Sequence, residues 1–179
     1  MSSLARESDT PAATKPERNT LIDLSKIDLT GTAFTREQMF ESIPHRHEMA
    51  LLDRIVWSNE SYTEAAGEIK IRGDEFWVRG HFPGRPMMPG VLMVEAGAQL
   101  ACWLYNKRQT TPRIAAFLRI DNAVFRQSVS VDDTLYVLAK ETRQSARRFF
   151  SDIQGVVNNQ VAFEASISGM RIGDMTDTA

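Results

Sequence analysis

One stretch constrains this chain more than any other: "PGVLMVEAGAQLACWLYN", residues 89–106. It predicts a single long helix, and up to Leu100 its only polar side chains are Glu95 and Gln99. A helix apolar on every side must be covered on every side, so the rest of the chain has to wrap it. The flanking sequence has the period for that task. "EMALLDRIVW" (48–57) predicts a strand, and in "YTEAAGEIKIR" (62–72) apolar and charged residues alternate, a strand with one wet face. After the helix come "RIAAFLRIDNAVF" (113–125), "DTLYVLAKETR" (133–143), "RRFFSDIQGVV" (147–157) and "QVAFEASIS" (160–168), four further strands. Asn158-Asn159 suit a tight hairpin turn between the last two.

Ahead of these, "TREQMFESIP" (35–44) predicts a short helix with Thr35 as cap, Gln38 completing a capping box, and Pro44 as the stop. Strands and helices do not alternate one for one, which excludes a doubly wound parallel sheet. The expected class is α+β, one antiparallel sheet around one helix. The chain has 179 residues, enough for one domain, expected over 33–172. Residues 1–32 begin polar and Pro-containing and are expected to form a disordered or loosely attached tail.

Charge and cysteine usage narrow the function. A net charge of −2 gives no general pull toward nucleic acid. Cys102 is the single cysteine, so no intrachain disulfide forms. No apolar run is long enough to span a membrane, and the N-terminus lacks the apolar core of a secretory signal. Glu7, Asp9 and Glu17 speak against a transit peptide. A cytoplasmic protein with no membrane or nucleic-acid partner is the expectation.

The chemistry concentrates in "GHFPGRPMMPGVLMVEAGAQL", residues 80–100. Pro89 stands at the helix start, where its missing N–H costs nothing. The Gly90 N–H then points out of the positive end of the helix dipole, a setting for a developing negative oxygen. A Pro-Gly helix start is also common for purely structural reasons. Glu95 is harder to explain. A carboxylate among apolar neighbours has to be paired, hydrogen-bonded or protonated. Gln99, one turn on, is its nearest candidate partner. A Glu–Gln pair at a subunit interface and a functional carboxylate are both open on the helix alone. His81 lies in a loop stiffened by Pro83, Pro86 and Pro89; His45 and His47 sit in "PHRHE" ahead of a strand. A loop histidine bonded to a carbonyl is the ordinary reading, while a rigid His beside a buried Glu makes a base and an acid. Ala96-Gly97-Ala98 lets a strand, a helix or a slender ligand approach closely. Met87, Met88 and Met93 suit either a core or an adaptable apolar channel.

This segment resembles the signature loop and helix of the FabZ-type 3-hydroxyacyl-acyl-carrier-protein dehydratases, within a FabA/FabZ-like group of hotdog-fold enzymes. "PHRHEMALLDRI" and "IDNAVFRQSVSVDD" resemble that family's elements before and after the helix, and the likeness runs over roughly residues 35 to 170. The resemblance implies a hotdog fold, a long helix wrapped by a curved antiparallel sheet. It implies homodimers, assembled as a trimer of dimers into a hexamer, with an acyl-carrier protein as partner. His81 from one chain and Glu95 from the other would remove water from a (3R)-3-hydroxyacyl thioester to give the trans-2-enoyl thioester. His81 would take the C2 proton, the Gly90 N–H would hold the enolate-like oxygen, and Glu95 would protonate the leaving hydroxyl. Phe82, Pro89 and Gln99 would complete the substrate site, with Met87, Met88 and Met93 along a tunnel. No cofactor or metal is implied.

Acyl-carrier proteins are acidic, so Arg85, Arg126, Arg147 and Arg148 are the candidate docking residues. A glutamate rather than an aspartate at position 95 favours the FabZ type over the FabA type. His47-Glu48-Met49, Gly97 and the absence of a proline after Arg126 depart from the family pattern. They keep open a specialised paralogue serving another acyl pathway. A hotdog thioesterase, a CoA-linked enoyl hydratase and a non-catalytic acyl-binding protein are the remaining alternatives.

Overall fold

The computed structural model describes residues 19–145 and 147–175. Its elements run β1 (Phe34–Thr35), α1 (Arg36–Phe40), β2 (Arg54–Ser58), β3 (Glu64–Lys70), α2 (Gly90–Lys107), β4 (Arg113–Phe125), β5 (Thr134–Gln144), β6 (Arg148–Val157) and β7 (Gln160–Asp174). The seven strands form one antiparallel sheet in the order β1-β2-β3-β5-β6-β7-β4. That sheet curves around α2, the α+β hotdog arrangement expected.

Local chemistry starts and stops each element as the side chains require. Thr35 and Gln38 form the reciprocal capping box on α1. Asn158 and Asn159 take φ of 50° and 58°, the left-handed pair that a two-residue hairpin needs between β6 and β7. Helix α2 buries Met93, Val94, Leu100, Trp103 and Leu104 against the sheet. Gly97 is where helix and sheet come closest: a Cβ there would lie 2.6 Å from Ile153 Cδ1 on β6. Of the approaches that Ala96-Gly97-Ala98 permits, the one made is by a strand. Leu100, Leu104, Ile153 and Phe163 are each no more than 1% exposed, and burial of each contributes about 1.5–3 kcal/mol.

Three differences from the expected layout have physical causes. Strand β2 begins only at Arg54, because residues 49–51 are drawn onto α2: Gln99 Nε2 donates to the Met49 carbonyl (2.7 Å) and Leu51 N–H donates to Gln99 Oε1 (3.2 Å). Strand β3 does not have one wet face. Its Glu68 side chain is 3% exposed and takes two bonds from the Arg54 guanidinium, at 2.9 and 2.7 Å. Finally, residues 19–32 are not a loose tail. Ile22 is buried on the outer face of the sheet with Val56, Ala66, Leu138 and Val156, and Leu21 N–H donates to Gln154 Oε1. Arg54 fastens this strap through the carbonyls of Leu29, Thr30 and Gly31. The remainder of the predicted tail, residues 1–18, lies outside the described residues.

Strand β4 closes one edge of the sheet, and its free side is greasy. Phe117, Leu118, Ile120, Val124 and Phe125 are between 37% and 48% exposed. An unpaired apolar edge of that length is a pairing surface. No helix among the described residues is long and apolar enough to cross a membrane.

Candidate active site

The loop feeding α2 is held by its own backbone. His81 N–H donates to the Trp77 carbonyl and Met87 N–H donates to the His81 carbonyl, both at 2.8 Å. The His81 ring stacks on Phe82, 4.1 Å between centroids, and its Nδ1 lies 2.8 Å from the Met87 carbonyl. A carbonyl can only accept, so Nδ1 carries the hydrogen and Nε2 keeps its lone pair. A neutral histidine locked in that tautomer is a proton acceptor at Nε2. Pro89 caps α2, and Gly90 follows with a first-turn N–H that has no intrahelical acceptor. Gly90 lets the Phe125 ring lie close over the helix start, since a Cβ there would come within 2.8 Å of the ring.

Glu95 sits further along α2 with its side chain 20% exposed. Gln99 Nε2 donates to its Oε1 at 2.9 Å, as the one-turn spacing predicts. A second nitrogen converges on the same oxygen: His45 Nε2, 3.4 Å from Oε1. No bond among the described residues engages Oε2, and no arginine or lysine pairs with this carboxyl. A narrow pocket of about 50 Å³ opens beside it, walled by Ala98, Cys102, Ala115, Ala116, Phe117, Phe149 and Gly169. Burial pushes the Cys102 thiol up to about 12, with Glu95 adding to the shift, so this cysteine is an apolar wall and not a nucleophile.

His45 is the site residue that sequence reasoning set aside. α1 ends at Phe40 with Glu41 as its cap, short of the stop expected at Pro44, and residues 41–44 lead the chain to His45, beside Glu95 of α2. Arg46 then clamps the turn, Nη1 donating to the Ile43 and His45 carbonyls and Nη2 to the Phe40 carbonyl. Its guanidinium lies 4.5 Å from the Phe40 ring centroid. Burial and the Arg46 charge hold His45 below the usual histidine range, against the pull of Glu95.

Within one chain the structure joins Glu95 to Gln99 and His45, and His81 to Met87 and Phe82; it does not join His81 to Glu95. Met88 and Met93, expected along a tunnel, are core residues at 3% exposure each, and only Met87 is half-buried. The four candidate docking arginines lie on different elements of the chain. Arg85 lies exposed in the His81 loop, and Arg126 follows β4 beside Phe125 and pairs with Glu164. Arg147 and Arg148 lead into β6, whose Phe149 stacks on Tyr105 near the opposite end of α2. Among the described residues no group of three His, Cys, Asp or Glu side chains could hold a metal ion.

Comparison with known proteins identifies the family and the fold. A model of the FabA-like domain matches residues 43–166. A 3-hydroxyacyl-[acyl-carrier-protein] dehydratase FabZ from Rickettsia africae is 36% identical over 137 residues, covering 74% of this chain and 92% of that protein. The protein of the same name from Ralstonia nicotianae is 33% identical over 138 residues, covering 75% and 84%. Among solved structures, a dehydratase heterocomplex from Xenorhabdus doucetiae superposes with a TM-score of 0.65 at 12% identity, over 74% of this chain and 90% of that one. A hypothetical thioesterase with coenzyme A from Streptococcus pneumoniae superposes with a TM-score of 0.52 at 10% identity, over 68% and 86%. At such identities the superpositions establish the fold alone; the sequence matches go further. The chain belongs to the FabZ-type 3-hydroxyacyl-acyl-carrier-protein dehydratase family, within the FabA-like domain group.

Proposed function

We propose that this protein dehydrates a (3R)-3-hydroxyacyl thioester carried on acyl-carrier protein to the trans-2-enoyl thioester, as a step in building acyl chains. The observation that carries the reading is the setting of Glu95. Its carboxyl is withdrawn from water, bonded by the Gln99 amide, approached by the His45 imidazole at 3.4 Å, and lines a pocket. A carboxyl not tied to a permanent cation can hold and release a proton.

Two copies of the chain complete the site in this reading. The apolar edge of β4 walls the Glu95 pocket through Ala115, Ala116 and Phe117, and a second copy paired along that edge would bring its own His81 loop to it. His81 Nε2 of one subunit takes a C2 proton, and the Gly90 N–H of the helix start receives the negative charge growing on the thioester oxygen. Glu95 Oε2 delivers its proton to the C3 hydroxyl, which leaves as water. Each proton transfer by a positioned group is worth about 10²–10⁴-fold in rate. Phe82, stacked on His81 and 52% exposed, would cover the reacting carbons, and Arg85 would meet an acidic carrier at the loop. Three such dimers would form the hexamer, and the cytoplasm is the compartment in which this acyl chemistry would run.

The test is direct. Purified protein with a 3-hydroxyacyl-carrier thioester should yield enoyl product, and His81→Ala and Glu95→Gln should each abolish it while remaining folded dimers. Mixing the two inactive variants should restore about a quarter of the wild-type sites if the residues come from different subunits. Hydrolysis of the thioester in place of dehydration would instead assign the fold to a thioesterase.

A further inference from the structure

The pair His45–Glu95 has no place in the reaction as written above, yet the structure builds it with care. We infer that His45 is a positioning residue: its Nε2–H, together with the Gln99 amide, holds Glu95 Oε1 so that the acid proton resides on Oε2, facing the substrate pocket.

Three observations lead there. Two nitrogens converge on one oxygen and none on the other: Gln99 Nε2 at 2.9 Å and His45 Nε2 at 3.4 Å both face Oε1. At 3.4 Å the approach of His45 is longer than an ordinary hydrogen bond and is a close electrostatic contact. Second, the tautomer follows from burial. His45 Nδ1 is buried with no hydrogen-bond partner among the described residues. A hydrogen on Nδ1 would be an orphan donor away from water, whereas on Nε2 it meets a carboxylate oxygen. Third, the turn that presents His45 is fixed independently of Glu95. Arg46 binds three carbonyls and its guanidinium lies over the Phe40 ring; Gln99 binds the Met49 carbonyl and the Leu51 N–H. Both donors to Oε1 are therefore held by the same tethered segment, residues 43–51.

The arrangement has a chemical purpose. An unoriented carboxylic acid can carry its proton on either oxygen, and only one of the two can reach the C3 hydroxyl. Two N–H donors on Oε1 make that oxygen the hydrogen-bond acceptor and exclude it as the site of the proton. The proton given to the leaving hydroxyl then comes from Oε2, Glu95 is left as the carboxylate, and the same two donors stabilise that charge. Within one chain the ionisable and charged groups facing Glu95 are His45, with Arg46 behind it, and Cys102; in the proposed dimer the partner's His81 also reaches the pocket. Cys102 stays protonated, and Arg46 is turned to the backbone carbonyls, so within the chain His45 is the ionisable neighbour whose replacement alters the proton on Glu95. The inference rests on the dehydratase reading.

Its test is the pH dependence of kcat/KM for dehydration of a 3-hydroxyacyl-carrier thioester by the intact oligomer. The proteins compared are wild type, His45→Ala and His45→Gln, with Glu95→Gln as the inactive reference. His45→Ala should lower kcat by about tenfold to a hundredfold, the worth of a hydrogen bond to a charged group, with little change in KM. It should also move the alkaline limb of the profile to higher pH, because losing a donor on Oε1 disfavours the carboxylate. His45→Gln, which keeps an N–H at that place and cannot ionise, should recover most of the rate and return the limb. A merely structural role predicts lower amplitude with both limbs unmoved, and no rescue by glutamine in a variant of unchanged melting temperature; that result overturns the inference and leaves the dehydratase intact. If wild type itself performs no dehydration, the functional reading and this role fall together.

Discussion

Two carboxylates in this protein are withdrawn from water, and they are treated in opposite ways. Glu68, on the outer face of β3, is 3% exposed and grips the Arg54 guanidinium with both oxygens. Lys70 stands 3.7 Å away, and the same guanidinium fastens the strap of residues 19–32. Glu95, on α2, is 20% exposed and is given only an amide and a histidine on one oxygen. A permanent cation locks a carboxylate as an anion and makes it architecture; neutral donors leave its proton exchangeable and make it chemistry. Burial alone does not tell the two apart. The identity of the partner does.

The sharpest way to break that contrast is to remove each charge by an isosteric amide. Glu95→Gln keeps an oxygen for Gln99 and should cost 10²–10⁴-fold in kcat for enoyl formation, with a melting temperature close to wild type. Glu68→Gln should do the reverse. It leaves a half-buried guanidinium short of its counter-charge, so denaturant unfolding at pH 7 should show a loss of about 1.5–3 kcal/mol, while kcat per folded site stays within twofold. A Glu68 variant of full stability and damaged turnover would make the outer pair catalytic and end the distinction.

How much of this was legible beforehand depends on whether the information was local. The long helix, the capping box of Thr35 and Gln38, the Asn158-Asn159 turn and the Glu95–Gln99 spacing are each written within a few residues, and each formed as the pattern requires. The Arg54–Glu68 pair is not. Alternation along β3 placed Glu68 on a wet face, and only a strap arriving from residues 19–32 made that face dry. His45 escaped for the same reason, since nothing in "PHR" says that the ring will face a helix 50 residues later. Met88 and Met93 carried no local sign of which side of α2 the sheet would cover.

The arm that carries His45 offers a milder perturbation. α1 begins at the Thr35 cap, where Gln38 N–H donates to Thr35 Oγ1 and Thr35 N–H donates to Gln38 Oε1. Thr35→Ala should cost about 1 kcal/mol in unfolding free energy. Because Arg46 ties the arm down beyond the cap, kcat should change by less than the loss of His45 itself would cause. A collapse of turnover in Thr35→Ala at unchanged fold would show that Glu95 is positioned from α1 and not through the turn at residues 44–46.

The smallest effect is thermodynamic and belongs to His45 alone. Burial, foremost, and the Arg46 charge hold its folded-state pKa below the usual histidine value of about 6.5. The sign follows from proton counting. Between about pH 6.5 and the lowered folded value, the unfolded chain binds a proton at His45 that the folded chain does not, so stability falls as pH falls through that window. His45→Gln removes the group and should flatten this part of the curve. The difference between the two unfolding curves, followed from pH 7.5 down to 5, isolates the histidine. A difference of the opposite sign would mean that attraction to Glu95 outweighs burial and His45 is charged in the folded protein. Glu95 would then face a cation after all, and would join Glu68 on the architectural side of the comparison.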